Sequence, residues 1–551
     1  MAGEVVTVQL GNYSNHVGAQ WWSLQEAEFS QSQDCEISSD VLFRRGVTLQ
    51  GEETYTPRLI AVDLKGSIGS LSDDGSLYED RNMKLSVPAW RGNVSVHRED
   101  LGPPQGAAGT PEQSHNGGPF QSAPPPGSTE RFPAAEMTGR VWSDFLQTPL
   151  HPKSLHIVTS HCHGGDMDGL DSFSQGEALF KTQLDEIEDR LHFFTEECDY
   201  LQGFQILCDL HNGFSGVAVR MAELLHDEYP GRGILSFGAF PAPSGDREPC
   251  KAMYELMNCV LALGPLSSLS SAFCPLSVMS SLSRRPGPPT AFPQLLYDAG
   301  VQYHSSAILA VALNTMTVPY RMTSSNLSLL HFAESLTFGG RKMLSAACSV
   351  PFPLASAMSL PDSLLPHLSC GPWRSVSPCP GAGAAVFSQS VVLRGIPERQ
   401  QISDHPAGTR PPSSFHTYEN GGDVLQHYLR DLYPCCTLSM THLVGAPCML
   451  GPSFPQFFSR YVTKDGCVVA EPQTAPTVVG RIPVLSALQT SSALQQMLCS
   501  LCHEVSMVNV RQWLNFSTAD VEQEDFREAV EDVQSLARCY RAGEGDATDC
   551  D

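Results

Sequence analysis

The chain has 551 residues, 41% of them apolar and 8% aromatic, which is too much for one ordinary core and suits two or three domains. Acidic residues outnumber basic ones 59 to 34, and a net charge of −25 repels a phosphate backbone, so nucleic-acid binding is not expected. The opening MAGEVVTVQL has neither a secretory pattern nor an Arg-rich presequence, and the longest smooth apolar run, AILAVAL (307–313), falls far short of the ~18–20 residues that span a bilayer, leaving peripheral membrane association at most.

In chain order, EVVTVQL (4–10) reads as a strand ending at Gly11, and LGNYSNHVGAQWW passes from a polar turn into a helix. RLIAVDL (58–64) is a second buried strand, closed by an acid and followed by Lys65 and Gly66. Residues 101–135 are rich in Pro, Gly and small polar residues without any period, a disordered insertion, and order resumes at VWSDFL (141–146). LDEIEDRLHFF (184–194) sets Leu184, Ile187, Leu191 and Phe194 on one helical face. The strand-like QGFQILCDL, a polar loop, the helix VRMAELLHDEY with Met221, Leu224 and Leu225 inward, and the strand ILSFGAFP (234–241) follow, an alternation that predicts a parallel βα sheet.

Further on, 254–264 and 302–314 read as helices and SVPFPLA (349–355) as a strand. Proline-rich insertions at 360–383 and 396–416 bracket a strand over SQSVVLRG (388–395). Amphipathic helices are expected over 491–505 and 520–541. The second carries Val521, Phe526, Val530, Val533 and Leu536 on its apolar side. Its outer face holds Glu522, Glu524, Asp525, Glu528, Glu531 and Asp532, either a solvated surface or one that recruits a basic partner.

These stretches have a familiar order. EVVTVQLGNYSNHVGAQWW resembles the opening strand, loop and helix of a tubulin, and TYTPRLIAVDLKG (54–66) its next strand and acidic loop. CDYLQGFQILCDLHNGFSGVAVRMAELLHDEYPGR is similar to the stretch with the tubulin glycine loop, GGRKMLSAACSVPFPL (339–354) to the helix leading into its VPFPRL strand, and the tail to its two C-terminal helices. Among tubulin-like proteins the chain resembles the Misato family, whose members share the DYLQGFQ run and the altered loops.

The resemblance implies an α/β, tubulin-like fold. Residues 1–245 would form a parallel-sheet, nucleotide-type domain, 246–490 an intermediate α/β domain, and 491–551 C-terminal helices with a short acidic tail. It further implies a cytoplasmic protein, partly on the mitochondrial outer membrane, that regulates mitochondrial distribution, morphology and network fusion through protein partners at the mitochondrial surface. The alternative is a GTP-binding, self-assembling cytoskeletal protein acting in mitochondrial inheritance or chromosome segregation. Oligomeric state stays open.

The two readings part at the nucleotide site. The tubulin glycine loop GGGTGSG holds phosphate on convergent backbone N–H groups at a helix N-terminus. In register this chain has His211, Asn212, Gly213, Phe214, Ser215, Gly216 and Val217, with one glycine kept in place and a bulky ring where the threonine stood. In the first loop Gly11, Asn15 and Gly18 fit the tubulin pattern, while Asn12, Tyr13 and Ser14 replace its Gln, Cys and inner Gly. Asp63 matches an acid near the magnesium and phosphates, but the next acid is Lys65. The resemblance thus leaves Gly11, Asn12, Asn15, Asp63, Asn212, Gly213, Ser215 and Gly216 as a vestigial nucleotide site, with Tyr13 and Phe214 filling the cleft and GTP not favoured as a cofactor.

Hydrolysis in tubulins also needs an acid in the loop before the helix that leads to VPFP. The stretch matched to it, TFGGRKMLSAA (337–347), holds no Asp or Glu, so no catalytic residue is assigned and GTPase activity is not expected. SHCHGGDMDGLD (160–171) groups His161, Cys162, His163, Asp166 and Asp168, but alternating His in a polar loop without a helix-spaced fourth ligand reads as solvated rather than metal-binding. Cys499 and Cys502, spaced CxxC on an amphipathic helix, read as a buried thiol pair.

Overall fold

The computed structural model describes residues 3–29, 36–47, 51, 53–69, 71, 141–163, 169–245, 248–356, 358–379, 383–403, 413–475, 477–506 and 523–541. All of them belong to one unit, Met1–Leu77 with Ala134–Asp551; the other, Tyr78–Pro133, lies outside the described residues, as does the whole of the expected insertion at 101–135.

Six strands form the first sheet: β1 (Glu4–Leu10), β4 (Leu59–Lys65), β5 (Leu155–Cys162), β6 (Leu201–Asp209), β7 (Gly233–Ala239) and β8 (Ala272–Leu276). Their order is β5-β4-β1-β6-β7-β8 and every neighbouring pair is parallel. β1 and β7 are buried along their whole length, as strands covered on both faces must be, and the polar Glu4, Thr7 and Gln9 of β1 are buried with the rest. The covering helices are α1 (Asn12–Phe29), α2 (Phe173–Glu196), α3 (Phe214–Glu228) and α4 (Pro249–Leu269). A small antiparallel hairpin, β2 (Phe43–Val47) with β3 (Glu53–Pro57), lies between β1 and β4 in the chain. The sequence order reverses at β1, so the carboxyl ends of β1, β4 and β6 border the crevice where open α/β sheets hold ligands. The sheet does not stop at the expected boundary of 245: α4 and β8 complete it, because β8 pairs with β7 from Leu235↔Ala272 to Ala239↔Leu276.

The second sheet has the order β10-β9-β15-β11-β12, built from β9 (Ser345–Ser349), β10 (Arg374–Ser375), β11 (Val386–Arg394), β12 (Leu438–Val444) and β15 (Val484–Ser491). Only β11 and β12 run parallel; the other pairs are antiparallel. Two short strands, β13 (Cys448–Met449) and β14 (Arg481–Ile482), pair beside it. Helix α5 (Gln302–Met316) packs against α1 on one side and against β11 and β15 on the other, and it is buried without a break from Ser305 to Met316. A helix apolar on all sides belongs in such a core position. Helix α6 (Leu329–Leu336) lies against β7 and β11, and α7 (Gly421–Leu432) against β12. The C-terminal pair α8 (Ala493–Val505) and α9 (Gln523–Cys539) pack on each other and on α4 through Leu494, Leu498, Leu501, Phe526, Val530 and Val533.

Several local expectations need correcting. The strand read over 349–355 ends at Ser349, because Pro351 and Pro353 have no N–H to give a ladder. Much of the first proline-rich insertion is folded: Ser359 and Asp362 form a capping box on a short helix, Leu360–Leu364, and Leu360, Leu364, Val376 and Cys379 are buried. In the second, Glu398–Gln401 and Ser414–Thr417 are short helical turns, while 404–412 lie outside the described residues. On α9, Val521 and Glu522 lie outside them too, and Leu536 is only half-buried. Cys502 is buried but Cys499 is exposed, so the CxxC is not a buried pair. No described helix is long and apolar enough to cross a membrane.

Candidate functional site

Gly11 closes β1 with φ at +104°, a backbone conformation that side chains rarely adopt. A Cβ there would sit 2.5 Å from Oδ2 of Asp209, the last residue of β6. That carboxylate rests on the first turn of α1. Its Oδ1 accepts hydrogen bonds from the Ser14 amide and the Ser14 hydroxyl, both at 2.7 Å. Its Oδ2 accepts from the Tyr13 amide and from Nδ2 of Asn212, both at 3.2 Å. The first amides of a helix have no intrahelical acceptor and carry its positive dipole end, and here an aspartate of the same chain satisfies them. Burial pushes the Asp209 carboxyl up to about 6 while the donors from Ser14, Tyr13 and Asn212 pull it down, which leaves it charged at neutral pH.

The loop that would cradle phosphate is closed in the same way. The Gly213 amide donates to the Leu170 carbonyl at 2.9 Å, and the Phe214 amide to Oδ1 of Asn212 at 3.0 Å. The amides of Ser215 and Gly216 donate at 3.0 Å to the carbonyls of Asn212 and Gly213, and that of Val217 donates to Gly213 at 3.3 Å. Glycine is retained for close packing: a Cβ on Gly213 would meet Leu170 Cγ at 2.6 Å, and one on Gly216 would meet the Phe173 carbonyl at 2.0 Å. The turn entering α2 therefore lies directly on the loop. Asn258 of α4 ties the two together, donating to the carbonyls of Asp171 and His211 and accepting from the Phe173 amide.

Asp63, at the end of β4, is the second buried carboxylate. It accepts from Nδ2 of Asn15 at 3.0 Å, from Nε1 of Trp142 at 2.9 Å and from the Leu64 amide at 2.8 Å. Burial chiefly pushes it up to about 6, and the Asp209 charge adds to this. Lys65 beside it is exposed. Tyr13 and Phe214 are both buried in the main core, with the Tyr13 hydroxyl against Ser305 of α5 and its pKa raised by burial. His16, one turn into α1, is held neutral by burial, its pKa lowered to about 3. Asn12 is buried at the start of α1 and Ser215 at the start of α3.

The eight residues read from the sequence thus lie at one crevice, but the groups that fill it include three that were not foreseen: Asp209, Trp142 and Leu170. These residues do not form an open phosphate cradle. The Tyr13 and Ser14 amides at the start of α1 and the Gly213, Phe214, Ser215, Gly216 and Val217 amides of the loop already have acceptors, and Asp209 adds a buried carboxylate beside them.

The assignment of the catalytic loop also changes. The helix that precedes β9 is α6, so the loop in question is 321–328, RMTSSNLS, not 337–347. It too lacks Asp and Glu, and Glu334 is exposed on α6 itself. Phe338–Gly340 is a single helical turn with Gly339 at φ +71°, after which Met343 bridges to Phe273. His161 and Cys162 fall at the end of β5 and are partly exposed, His163 is exposed, and Asp166 and Asp168 lie outside the described residues. Among the described residues no three His, Cys, Asp or Glu side chains group as metal ligands would.

Comparison with known proteins agrees with this architecture. Residues 3–106 match the family model described as the Misato Segment II tubulin-like domain, and 133–322 match the Tubulin domain model. The chain is 44% identical to Protein misato homolog 1 of Mus musculus over 98% of its own length and 99% of the mouse protein. It is 43% identical to Protein misato homolog 1 of Homo sapiens, with the same coverage. Protein misato of Drosophila melanogaster is 28% identical over 98% of both chains. The chain is a member of the Misato family of tubulin-like proteins.

Proposed function

We propose that this chain is a non-enzymatic tubulin-fold protein that regulates mitochondrial distribution, morphology and network fusion through contacts with protein partners at the mitochondrial surface. The observation that carries the non-enzymatic half is Asp209, whose carboxylate takes the amide donors of the α1 N-terminus that a phosphate would need. The acid-free loop 321–328 supports it, since tubulin-type hydrolysis requires a carboxylate there. Family membership supports the cellular half, and the exposed acids Glu524, Asp525, Glu528, Glu531 and Asp532 of α9 offer a surface to a basic partner.

The test has two arms. Purified protein is denatured and the released small molecules analysed, and GTP with magnesium is titrated while thermal unfolding is followed. The expected result is no bound guanine nucleotide and no rise in Tm up to millimolar GTP. A GTP-specific, dose-dependent rise would move the assignment to a nucleotide-switched protein. In cells depleted of the endogenous protein, expression of this chain is expected to restore network shape and peripheral association with mitochondria. A normal network in depleted cells would remove the mitochondrial role.

A further inference from the structure

The exposed turn Phe338–Gly340, after α6, lies where five segments of the chain meet. Arg341 donates from Nε to the carbonyl of Cys539, the last residue of α9, at 2.8 Å, and sets its guanidinium 3.9 Å over the Phe387 ring of β11. Lys342 donates from Nζ to the Ser268 carbonyl near the end of α4 at 2.6 Å. The amide and the hydroxyl of Thr437, just before β12, both donate to the Phe387 carbonyl. Ser388 ties β11 back to α6, its hydroxyl donating to the Leu336 carbonyl at 2.6 Å.

The charge of this surface runs against that of the chain, in which acidic residues outnumber basic ones 59 to 34. The stretches that meet here, 265–271, 335–343, 384–390, 433–440 and 533–541, hold Arg341, Lys342, Arg538 and Arg541 and no Asp or Glu. Arg538 and Arg541 are exposed, and Arg341 and Lys342 spend their hydrogen bonds on carbonyls rather than carboxylates. The next acids along these elements, Glu334 on α6, Asp431 on α7 and Asp532 on α9, are exposed. Apolar groups complete the surface: Phe338 is 69% exposed and Leu438 38%. Gly339 and Gly340, at φ +71° and +79°, have open space around them, so nothing crowds the turn that carries Phe338.

We infer that this face docks on an anionic lipid surface, with Phe338 entering the headgroup layer and Arg341, Lys342, Arg538 and Arg541 set against the lipid headgroups. Basic groups spread over several segments around an exposed ring match a broad anionic surface better than a single acidic side chain. Peripheral anchors pair an apolar group at headgroup depth with Lys and Arg in the same way. Helix α9 contributes only its end, so the acids upstream on it are not part of the contact. The inference rests on this surface alone and not on the mitochondrial reading.

The experiment is flotation of the purified full-length protein with vesicles of phosphatidylcholine alone or with about one-third phosphatidylserine. Binding to the anionic vesicles is expected to be at least about tenfold tighter than to the neutral ones, and to be lost at about 1 M salt, where the screening length is about 3 Å. Arg538→Glu is expected to weaken it about tenfold or more, since each unit of charge near an anionic surface is worth about fivefold. Arg527→Glu, an equal charge change farther up the same helix, is expected to stay within about twofold of the unaltered protein. Phe338→Ser is expected to weaken binding about fivefold or more with Tm unchanged, because the ring it removes is exposed. The inference is overturned if anionic and neutral vesicles bind alike, if Arg527→Glu loses as much as Arg538→Glu, or if Phe338→Ser binds as the unaltered protein does. No binding to either vesicle also overturns it and turns the search for an occupant to acidic protein segments. The comparison of the two vesicles needs no variant, and its failure leaves the mitochondrial reading standing, since that reading calls only for protein partners.

Discussion

Replacing Asp209 with alanine removes the acceptor for four donors at once: the amides of Tyr13 and Ser14, the Ser14 hydroxyl and Nδ2 of Asn212. A buried donor left without a partner costs about 1–3 kcal/mol, and since water can enter part of the space the four do not add fully, so about 3–5 kcal/mol of stability is expected to go. Asp209→Asn keeps the shape and one acceptor oxygen but turns an N–H₂ toward one backbone N–H and one side-chain donor, so a smaller loss of about 1–3 kcal/mol follows. Urea unfolding followed by the fluorescence of the buried Trp21 and Trp22 reads both, as a shift in midpoint at unchanged slope. The alanine variant has a distinctive signature: formate or acetate fits the space the side chain left and is expected to raise its midpoint in a dose-dependent way without moving the unaltered protein. An Asp209→Ala protein within about 0.5 kcal/mol of the original and indifferent to formate would refute the reasoning, since the α1 amides would then have other partners.

The same site has a pH signature. Burial raises Asp209 from 3.8 to about 6, so the folded state holds its proton more tightly; the stabilisation is complete below about pH 4 and is lost as pH rises through 6, at most about 3 kcal/mol for this group. Asp63 acts in the same direction, and the difference between the unaltered protein and Asp209→Asn across pH 4–7 isolates the Asp209 share. Phe214→Ala removes a fully buried ring and is expected to cost about 3–5 kcal/mol, read as a lower urea midpoint. Gly176→Ala would drive a methyl to 1.7 Å from the Gly213 carbonyl oxygen, so α2 must lift off the loop; a clear fall in Tm is expected, larger than that for Gly231→Ser, which meets nothing within 4 Å and whose φ of +79° costs only local strain of about 1–2 kcal/mol.

The parallel sheet was legible in the sequence where strands are buried on both faces. EVVTVQL is rich in β-branched residues and ILSFGA has one polar residue, and each sits beside a loop-to-helix transition that marks its carboxyl end. The second sheet was harder to see, because β15 carries Ser486, Gln489, Thr490 and Ser491, all of them buried and most paired across the ladder, as Gln489 is to Gln389. At 360–379 composition showed only a proline-rich insertion, and the capping box and two buried leucines that hold the segment down were not read from it. The candidate site was found by position, since its residues occupy the loops of a known fold. What fills it was not, because Asp209 ends a strand two residues ahead of the loop and its partners Tyr13 and Ser14 are 195 and more residues away in the chain. An acid closing the strand before a degraded glycine loop is the signal that would have revealed it. The catalytic loop was displaced because the apolar residues of α6 lie before, not within, the GGRK stretch.

A nucleotide in a protein is also a clock: it arrives, ages by hydrolysis and leaves, and each stage can be sensed by a neighbour. Asp209 is joined to its site by the backbone, so its local concentration is fixed and it has neither an off-rate nor a spent form. On the function proposed above, a tubulin-like frame held by such a group has one age throughout its life. Its lifetime on a surface would then be set from outside, by how long a partner holds it, how fast it is made and how soon it is destroyed.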